Sequence, residues 1–227
     1  MRALVTGAAG GIGRAIVTRV RGQDYDVDEL DVVGGFDVSD PGAWEGVGAV
    51  DLAFLNAGVL TGESDMTAVT DEQYRRLVGV NVDGVVFGVR RLARVCGPGA
   101  SIVVTASLAG LTEMPIDPLY ALAKHAVVGF VRSVAPQLAE RAIRINLVNP
   151  GIVDTPMVTG AFRAAIESAA FPLLRPEEVA EAAWRTATSD QTGQAWVVQP
   201  GREPEPFRFP GVPGPRGAGR SGVRPPM

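Results

Sequence analysis

The stretch VTGAAGGIGRA, residues 5 to 15, constrains the fold more than any other part of the chain. It joins an apolar, strand-like run (ALVTG, from Ala3) to a segment with helical period. Gly7, Gly11 and Gly13 let the backbone turn tightly between strand and helix and come close to a bound group. The first amides of the helix have no acceptor within it, so they suit a pyrophosphate. Glycines also make plain turns. The strand before and the helix after, at the start of a βα unit, give this stretch its meaning.

The alternation continues downstream. Apolar runs at DLAFLNAG, SIVVTAS, IRINLVNPG and QAWVVQPG are separated by helix-period segments, about 11–20, 70–96, 119–140 and 176–188. Near-continuous apolar strands between helices indicate a parallel sheet covered on both faces. The expected fold is α/β: a Rossmann-type, doubly wound, mostly parallel sheet in one domain, residues 1–201. One edge departs from the pattern. Only five residues separate Asp31 from Asp37, whereas a parallel crossover needs a dozen or more. With YDVDELD as the second strand, GFDV has room only for a stub of edge strand reached by an open loop. The segment DPGAWEGVGAV allows at most a short helix, so the sheet is expected to be thin at its second/third-strand edge.

Residues 202–227 form a tail with seven Pro and five Gly. It is either a flexible arm or a segment that lays Phe207 and Phe209 on a neighbouring subunit or near the mouth of the site. Its five Arg and two Glu give it +3, so with a net charge of −4 the body carries −7. An acidic body argues against nucleic acid as a partner. No apolar run approaches the ~18 residues of a membrane span. A strand starting at Ala3 leaves no room for a signal peptide. A cytoplasmic location, with no membrane partner, is the resulting expectation. Cys96 is the only cysteine and His125 the only histidine, so no cysteine-based metal cluster is expected. Cys96 reads as a buried or inert thiol, His125 as a helix-surface or subunit-contact residue.

Asp31 lies 18 residues after Gly13, where a carboxylate accepts hydrogen bonds from an adenosine ribose. Its acidic surroundings (Asp24, Asp26, Asp28, Glu29) repel a 2′-phosphate, so NAD is favoured over NADP. Farther along, YALAK places Tyr120 and Lys124 on one helix face, a turn apart. Phenols ionise near pH ~10, about three pH units too high for a neutral base. A positive charge ~4 Å away contributes ~4 kcal/mol at an effective dielectric of ~20, so Lys124 and the cationic nicotinamide of NAD⁺ together are expected to close that gap. Alone, such a pair also decorates many helix surfaces.

Taken in order, these motifs resemble the classical short-chain dehydrogenases/reductases over about residues 3 to 201. The family's TGxxxGxG is TGAAGGIG, its adenine-holding aspartate and hydrophobic residue are Asp37 and Val38, and its NNAG is LNAG, with Leu55 in place of the first Asn. The active-site Asn falls on Asn81, the catalytic Ser on Ser107, thirteen residues before Tyr120, and YxxxK on Tyr120 and Lys124. The PG motif and the threonine that holds the nicotinamide carboxamide fall on Pro150, Gly151 and Thr155. The compressed second crossover is unlike most members and looks like the shortened bacterial ones.

The resemblance implies an NAD cofactor held by Gly7, Gly11, Ile12, Gly13, Asp31, Asp37, Val38, Asn56, Ala57, Gly58, Tyr120, Lys124, Pro150, Gly151, Val153 and Thr155. It implies hydride exchange with an alcohol or ketone. Tyr120 serves as general base or acid, Ser107 stabilises the alkoxide, and Asn81 holds a water linking Lys124 to solvent. Residues 156–174 correspond to a mobile lid whose Met157, Val158, Phe162, Ile166, Phe171 and Leu173 face Leu108, Ala109, Leu111 and Met114. Such walls suit a lipophilic or aromatic secondary alcohol, oxidised by NAD⁺. Arg163 either anchors an anion or faces solvent. Asp117 either selects substrate or makes a turn ahead of Pro118. A homotetramer or homodimer through segments 70–96 and 119–140 is implied. The rival readings are a non-catalytic NAD(H)-binding redox sensor and an epimerase or dehydratase of the extended relatives, for whose larger C-terminal domain the chain has no room.

Overall fold

Six strands, the five apolar runs and the acidic second strand, pair side by side in parallel, and the order in which they do so creates the crevice. The protein is described by a computed structural model covering residues 1–211. Its elements, in chain order, are β1 (Arg2–Thr6), α1 (Gly11–Arg21), β2 (Asp26–Leu30), β3 (Leu52–Leu55), α2 (Asp71–Val78), α3 (Gly84–Val95), β4 (Ser101–Thr105), α4 (Pro118–Ala139), β5 (Arg144–Pro150), α5 (Gly160–Ser168), α6 (Pro176–Thr188), β6 (Ala195–Val198) and β7 (Glu205–Pro206). The sheet order is β2-β1-β3-β4-β5-β6-β7, parallel throughout except for β7. Strand order reverses between β1 and β3, and ligands of doubly wound sheets bind beyond the carboxyl ends of strands at such a switch point.

Successive strand residues point to opposite faces, which gives two cores. On one face Leu4, Ala53, Leu55, Ile102 and Ile145 pack against Val85, Val89 and Leu92 of α3 and Val127 and Val131 of α4. On the other, Ala3, Val5, Phe54 and Val103 pack against Ile16 and Val20 of α1 and Val179 and Ala183 of α6.

The thin edge is present, in a different form from the one expected. GFDV makes no strand at all, which leaves β2 as the edge. Local bonds win over extension here. Asp31 O accepts the N–H of both Gly34 and Phe36, Gly35 turns with φ 86°, and the Asp37 carboxylate accepts from the Ser39 N–H and Oγ. In place of a second crossover helix there are two short 3-10 turns, Val32–Gly34 and Ala43–Gly46. Trp44 of the second turn is 2% exposed, donates Nε1–H to Val38 O at 3.0 Å, and meets Phe36 edge-to-face at 5.1 Å. One indole thus covers sheet that a helix would otherwise cover. Gly88 of α3 allows this approach, because a Cβ there would lie 2.7 Å from the Trp44 ring. The exposed edge itself is acidic (Asp26, Asp28, Glu29), a composition that discourages edge-to-edge pairing.

At the opposite edge the beginning of the tail returns to the body. Residues Glu205–Pro206 pair antiparallel with β6. Phe207 and Phe209 pack on the α4-side core of their own chain, and the Arg132 guanidinium lies 3.5 Å from the Phe209 ring centroid. The expected placement on a neighbour or at the site mouth does not hold for these two rings. Residues 212–227, the rest of the tail, lie outside the described residues. Among the described residues no helix is long and apolar enough to cross a membrane.

Candidate active site

A crevice of about 1270 Å³ runs across the carboxyl ends of β1, β3, β4 and β5. At one end is the glycine turn. Gly7 has φ 64°, and a Cβ on Gly13 would collide with Gly7 O at 2.0 Å, so strand and helix meet only because these residues are glycines. Helix α1 begins at Gly10 with no side-chain cap and no acidic residue in its first turn. Its leading N–H groups therefore face the crevice without a competing carboxylate, a setting that fits an anion. Gly11 packs under Thr155, whose Cγ2 would be 2.7 Å from a Cβ at position 11. That contact links the two ends of the crevice.

Asp31 lies one residue past β2 and lines the crevice. One carboxylate oxygen accepts the Ala9 N–H at 3.0 Å and the other the Val33 N–H at 3.1 Å. A carboxylate has about four acceptor sites, so it retains capacity for a ligand hydroxyl. Asp37 and Val38 line the same end, as do Val32 and Val33, exposed at 69% and 84%. Asn56 lines the crevice and has a structural task as well. Its side chain is occupied within the protein, donating to Thr6 O at 3.3 Å and accepting from Thr105 Oγ1 at 3.1 Å, so it ties the ends of β1, β3 and β4 together. Leu55, in place of the family's first Asn, is core. Ala57, Gly58, Pro150, Gly151, Val153 and Thr155 all line the crevice.

The other end gathers the four polar residues singled out by sequence. Tyr120 and Lys124 leave one face of α4, with the ammonium 5.4 Å from the phenol ring centroid. Lys124, 4% exposed, donates to Thr105 O at 2.9 Å. Asn81 is fully buried in a π-helical turn, Gly79–Asp83, that joins α2 to α3. The extra residue in that turn rotates Asn81 inward, where its amide exchanges two 2.8 Å bonds with the Val59 backbone. A Cβ on Gly58 would sit 3.4 Å from Asn81 Oδ1 and 3.5 Å from Lys124 Nζ, so the two groups flank the same small gap. Ser107 caps a 3-10 turn, accepting from the Ala109 N–H at 3.1 Å, and lies beside the Tyr120 hydroxyl.

Burial governs the electrostatics. It pushes the Tyr120 phenol up to about 12, with the Ser107 hydroxyl pulling down and the Asp117 charge pushing up. It also brings Lys124 down to about 8. The drop in Tyr120 expected from Lys124 and the nicotinamide cation together is not achieved by the side chains alone. Desolvation of the phenolate outweighs an ammonium turned toward a carbonyl.

The structure settles several open alternatives. Asp117 is a helix cap: buried at 4%, it accepts the Tyr120 N–H at 3.0 Å and the Thr61 N–H at 2.8 Å. Arg163 is paired with Asp154 and Glu167. Cys96 is buried, and burial raises its thiol. His125 is exposed, its Nδ1 2.9 Å from Ala121 O. Among the lid residues, Met157, Val158, Phe162 and Phe171 line the crevice, whereas Ile166 is buried beneath them. Leu108, Ala109 and Met114 form the facing wall, and Leu111 turns to the core. Both ends of the lid are fastened by one parallel bridge, Val153 to Leu174. Arg14, Arg76 and Gln199 also line the crevice and were not singled out by sequence. Only Gln199, just past the end of β6, had a positional signal.

Comparison with known proteins agrees with this geometry. A family model described as enoyl-(acyl carrier protein) reductase matches residues 42–202. Cyclohexanol dehydrogenase of Acinetobacter sp. (strain SE19) is 31% identical over 232 residues, which cover 86% of this chain and 92% of that protein. Several other relatives align over about half of their own length. A short-chain dehydrogenase from Burkholderia cenocepacia J2315, solved with NADP, superposes with a TM-score of 0.78 at 28% identity, covering 87% of this chain and 95% of that one. A 3-oxoacyl-[acyl-carrier protein] reductase from Brucella melitensis, solved with NAD, gives 0.72 at 30% identity, covering 87% and 88%. With the sheet order, the glycine turn and the crevice in place, these matches show that the chain belongs to the short-chain dehydrogenase/reductase family.

Proposed function

We propose that this protein is a nicotinamide-dependent oxidoreductase that interconverts lipophilic or aromatic secondary alcohols and their ketones. The observation that carries the reading is the convergence of Tyr120, Ser107, Lys124 and Asn81 at the apolar end of a crevice whose other end is a glycine turn and a carboxylate. A bound oxidised dinucleotide supplies a hydride acceptor and a positive charge. The leading amides of α1 at Gly11, Ile12 and Gly13 hold its pyrophosphate, and Asp31 its adenosine ribose. Asp37 and Val38 border the adenine. Gly7, Asn56, Ala57, Gly58, Pro150, Gly151, Val153 and Thr155 wall the nicotinamide half, and Lys124 bonds the nearer ribose.

The proton chemistry belongs to the chain. Tyr120 takes the hydroxyl proton of an alcohol, or gives one to a ketone oxygen, while Ser107 donates to the same oxygen and stabilises alkoxide character. A phenol held near 12 is poised as a donor. Acting as a base near neutrality requires added positive charge, of which one full charge at ~4 Å is worth about three pH units. Lys124, buried and lowered to about 8, exchanges protons readily and passes them toward the gap beside Asn81.

NAD is the coenzyme we favour, because the Asp31 carboxylate lining the crevice would repel a 2′-phosphate. Titration with NADH and NADPH, followed by nucleotide fluorescence, tests this. Tight NADH and weak NADPH support it, the reverse preference refutes the NAD assignment, and no binding of either refutes the oxidoreductase reading. A cytoplasmic dimer or tetramer belongs to the same proposal, with the outward face of α4 (Leu122, Ala126, Gly129) exposed for a second copy. A monomer by light scattering would remove the assembly.

A further inference from the structure

Where the nicotinamide wall at Gly151 meets the substrate wall at Leu108, Gln199 brings a polar group that the proton chemistry does not use. Gln199 follows the last residue of β6, and its backbone is fixed on both sides. Val198 O accepts the Gly151 N–H at 2.9 Å, and Gln199 O accepts the Arg202 N–H at 3.2 Å. Its half-buried side chain lines the crevice beside Gly151 and Leu108. A Cβ at position 151 would lie 2.6 Å from Gln199 Oε1 and 3.6 Å from Leu108 Cδ1, so the glycine leaves the space that the amide fills. Among the described residues the Gln199 side chain has no hydrogen-bond partner. Thr112 and Glu113, polar neighbours at the rim, bond to each other at 2.7 Å. The remaining walls of the substrate half are Leu108, Met157, Val158, Phe162 and Phe171.

An amide held without a partner among apolar side chains is costly when a ligand excludes water from it, unless the ligand supplies the partner. A site of that kind discriminates strongly against ligands that lack the matching group. We propose that Gln199 determines specificity by hydrogen-bonding a second oxygen of the substrate. The site then prefers secondary alcohols and ketones that carry a hydroxyl or carbonyl across an apolar ring or short chain. This rests on the oxidoreductase reading above for where the reacting oxygen sits, at Tyr120 and Ser107. The amide offers both a donor and an acceptor, so either a hydroxyl or a carbonyl satisfies it.

The test is a ligand-observed NMR titration of the full chain with cyclohexanone and with 4-hydroxycyclohexanone, on the wild type, Gln199→Met and Gln199→Leu. The expected result is about tenfold tighter binding of the hydroxyketone by the wild type, as one neutral hydrogen bond allows. That preference should vanish in both variants while NADH affinity and melting temperature stay at wild-type values. No difference between the ketones in the wild type, including no binding of either, overturns the inference. So does a preference that survives in both variants, or a loss of NADH affinity in both, which would assign Gln199 to the coenzyme. Absorbance at the nicotinamide band with the same ketones judges the oxidoreductase reading separately. Absent turnover with an intact binding preference sinks that reading and leaves the role of Gln199 standing.

Discussion

The two crossovers that frame the crevice are built in opposite ways. Between β4 and β5 the chain follows the regular plan, with a 22-residue helix that carries Tyr120 and Lys124 at a fixed spacing. Between β2 and β3 it uses twenty-one residues, two short 3-10 turns and one buried indole. On the proposed function, the difference follows from what each side has to hold. Proton transfer needs side-chain atoms placed to a fraction of an ångström, and a packed helix capped by Asp117 provides that. A wall for an adenosine group needs only a carboxylate and some apolar surface, and a loop braced by its own Asp31 and Asp37 bonds is sufficient.

Breaking the chemical side should have the largest effect. Tyr120→Phe keeps the ring and its packing and removes only the proton carrier, so kcat/KM should fall about 10²- to 10⁴-fold while NADH binding persists. Steady-state kinetics beside a fluorescence titration checks both halves, and near-normal turnover would remove Tyr120 from its role. The matching break on the compressed side is Trp44→Ala. It empties the plug over the sheet and should cost about 3–5 kcal/mol in urea unfolding, with kcat per folded molecule little changed. A loss below 1 kcal/mol would mean that the indole does not replace a helix.

Lys124 gives a prediction that depends on pH. Burial lowers its folded value to about 8, whereas the unfolded chain ionises near the ordinary 10.5. Below pH 8 both states are charged, and the folded one bears the full cost of a buried ammonium. Between 8 and 10.5 the unfolded chain holds a proton that the folded one has released, so this contribution to stability rises with pH. Lys124→Met removes the cost. Its stability relative to wild type should be most favourable below pH 8 and decline by on the order of 3 kcal/mol as the pH rises to 10.5. A difference that stays flat with pH would contradict the lowered ammonium. The smallest effect is expected at Asp31. Asp31→Ser should weaken NADH about ten- to a hundredfold, the value of a hydrogen bond to a charged group, and narrow the gap to NADPH. Unchanged NADH affinity would show that the carboxylate only braces the loop at Ala9 and Val33.

The regular side was legible in the sequence because periodicity and motif spacing act locally there. The helix of 176–188, the strands and the order of Asn81, Ser107, Tyr120 and Lys124 could be read directly. The compressed side was legible only as a shortage of residues. GFDV has strand-like composition, yet the turns closed by Asp31 and Asp37 hold it out of the sheet and Phe36 meets Trp44, a contact that no pattern announces. The π turn at Gly79–Asp83 was hidden inside an unbroken helical period, although it is what turns Asn81 inward. Two consequences of burial were also out of reach. The sequence suggested that Lys124 and the cationic nicotinamide together would draw Tyr120 down, whereas among the side chains alone desolvation drives it up, and Gln199 gains interest only once its amide is seen without a partner.

The most direct test of the account is to mix the wild-type protein with NAD⁺ and a panel of lipophilic secondary alcohols, cyclohexanol among them, and follow absorbance at the nicotinamide band. The account predicts formation of the reduced coenzyme, faster as the pH rises and Tyr120 gives up its proton. Tight NADH binding with no reduction of NAD⁺ by any alcohol, and no reoxidation of NADH by the corresponding ketones, would contradict it and point instead to a dinucleotide sensor on the same scaffold.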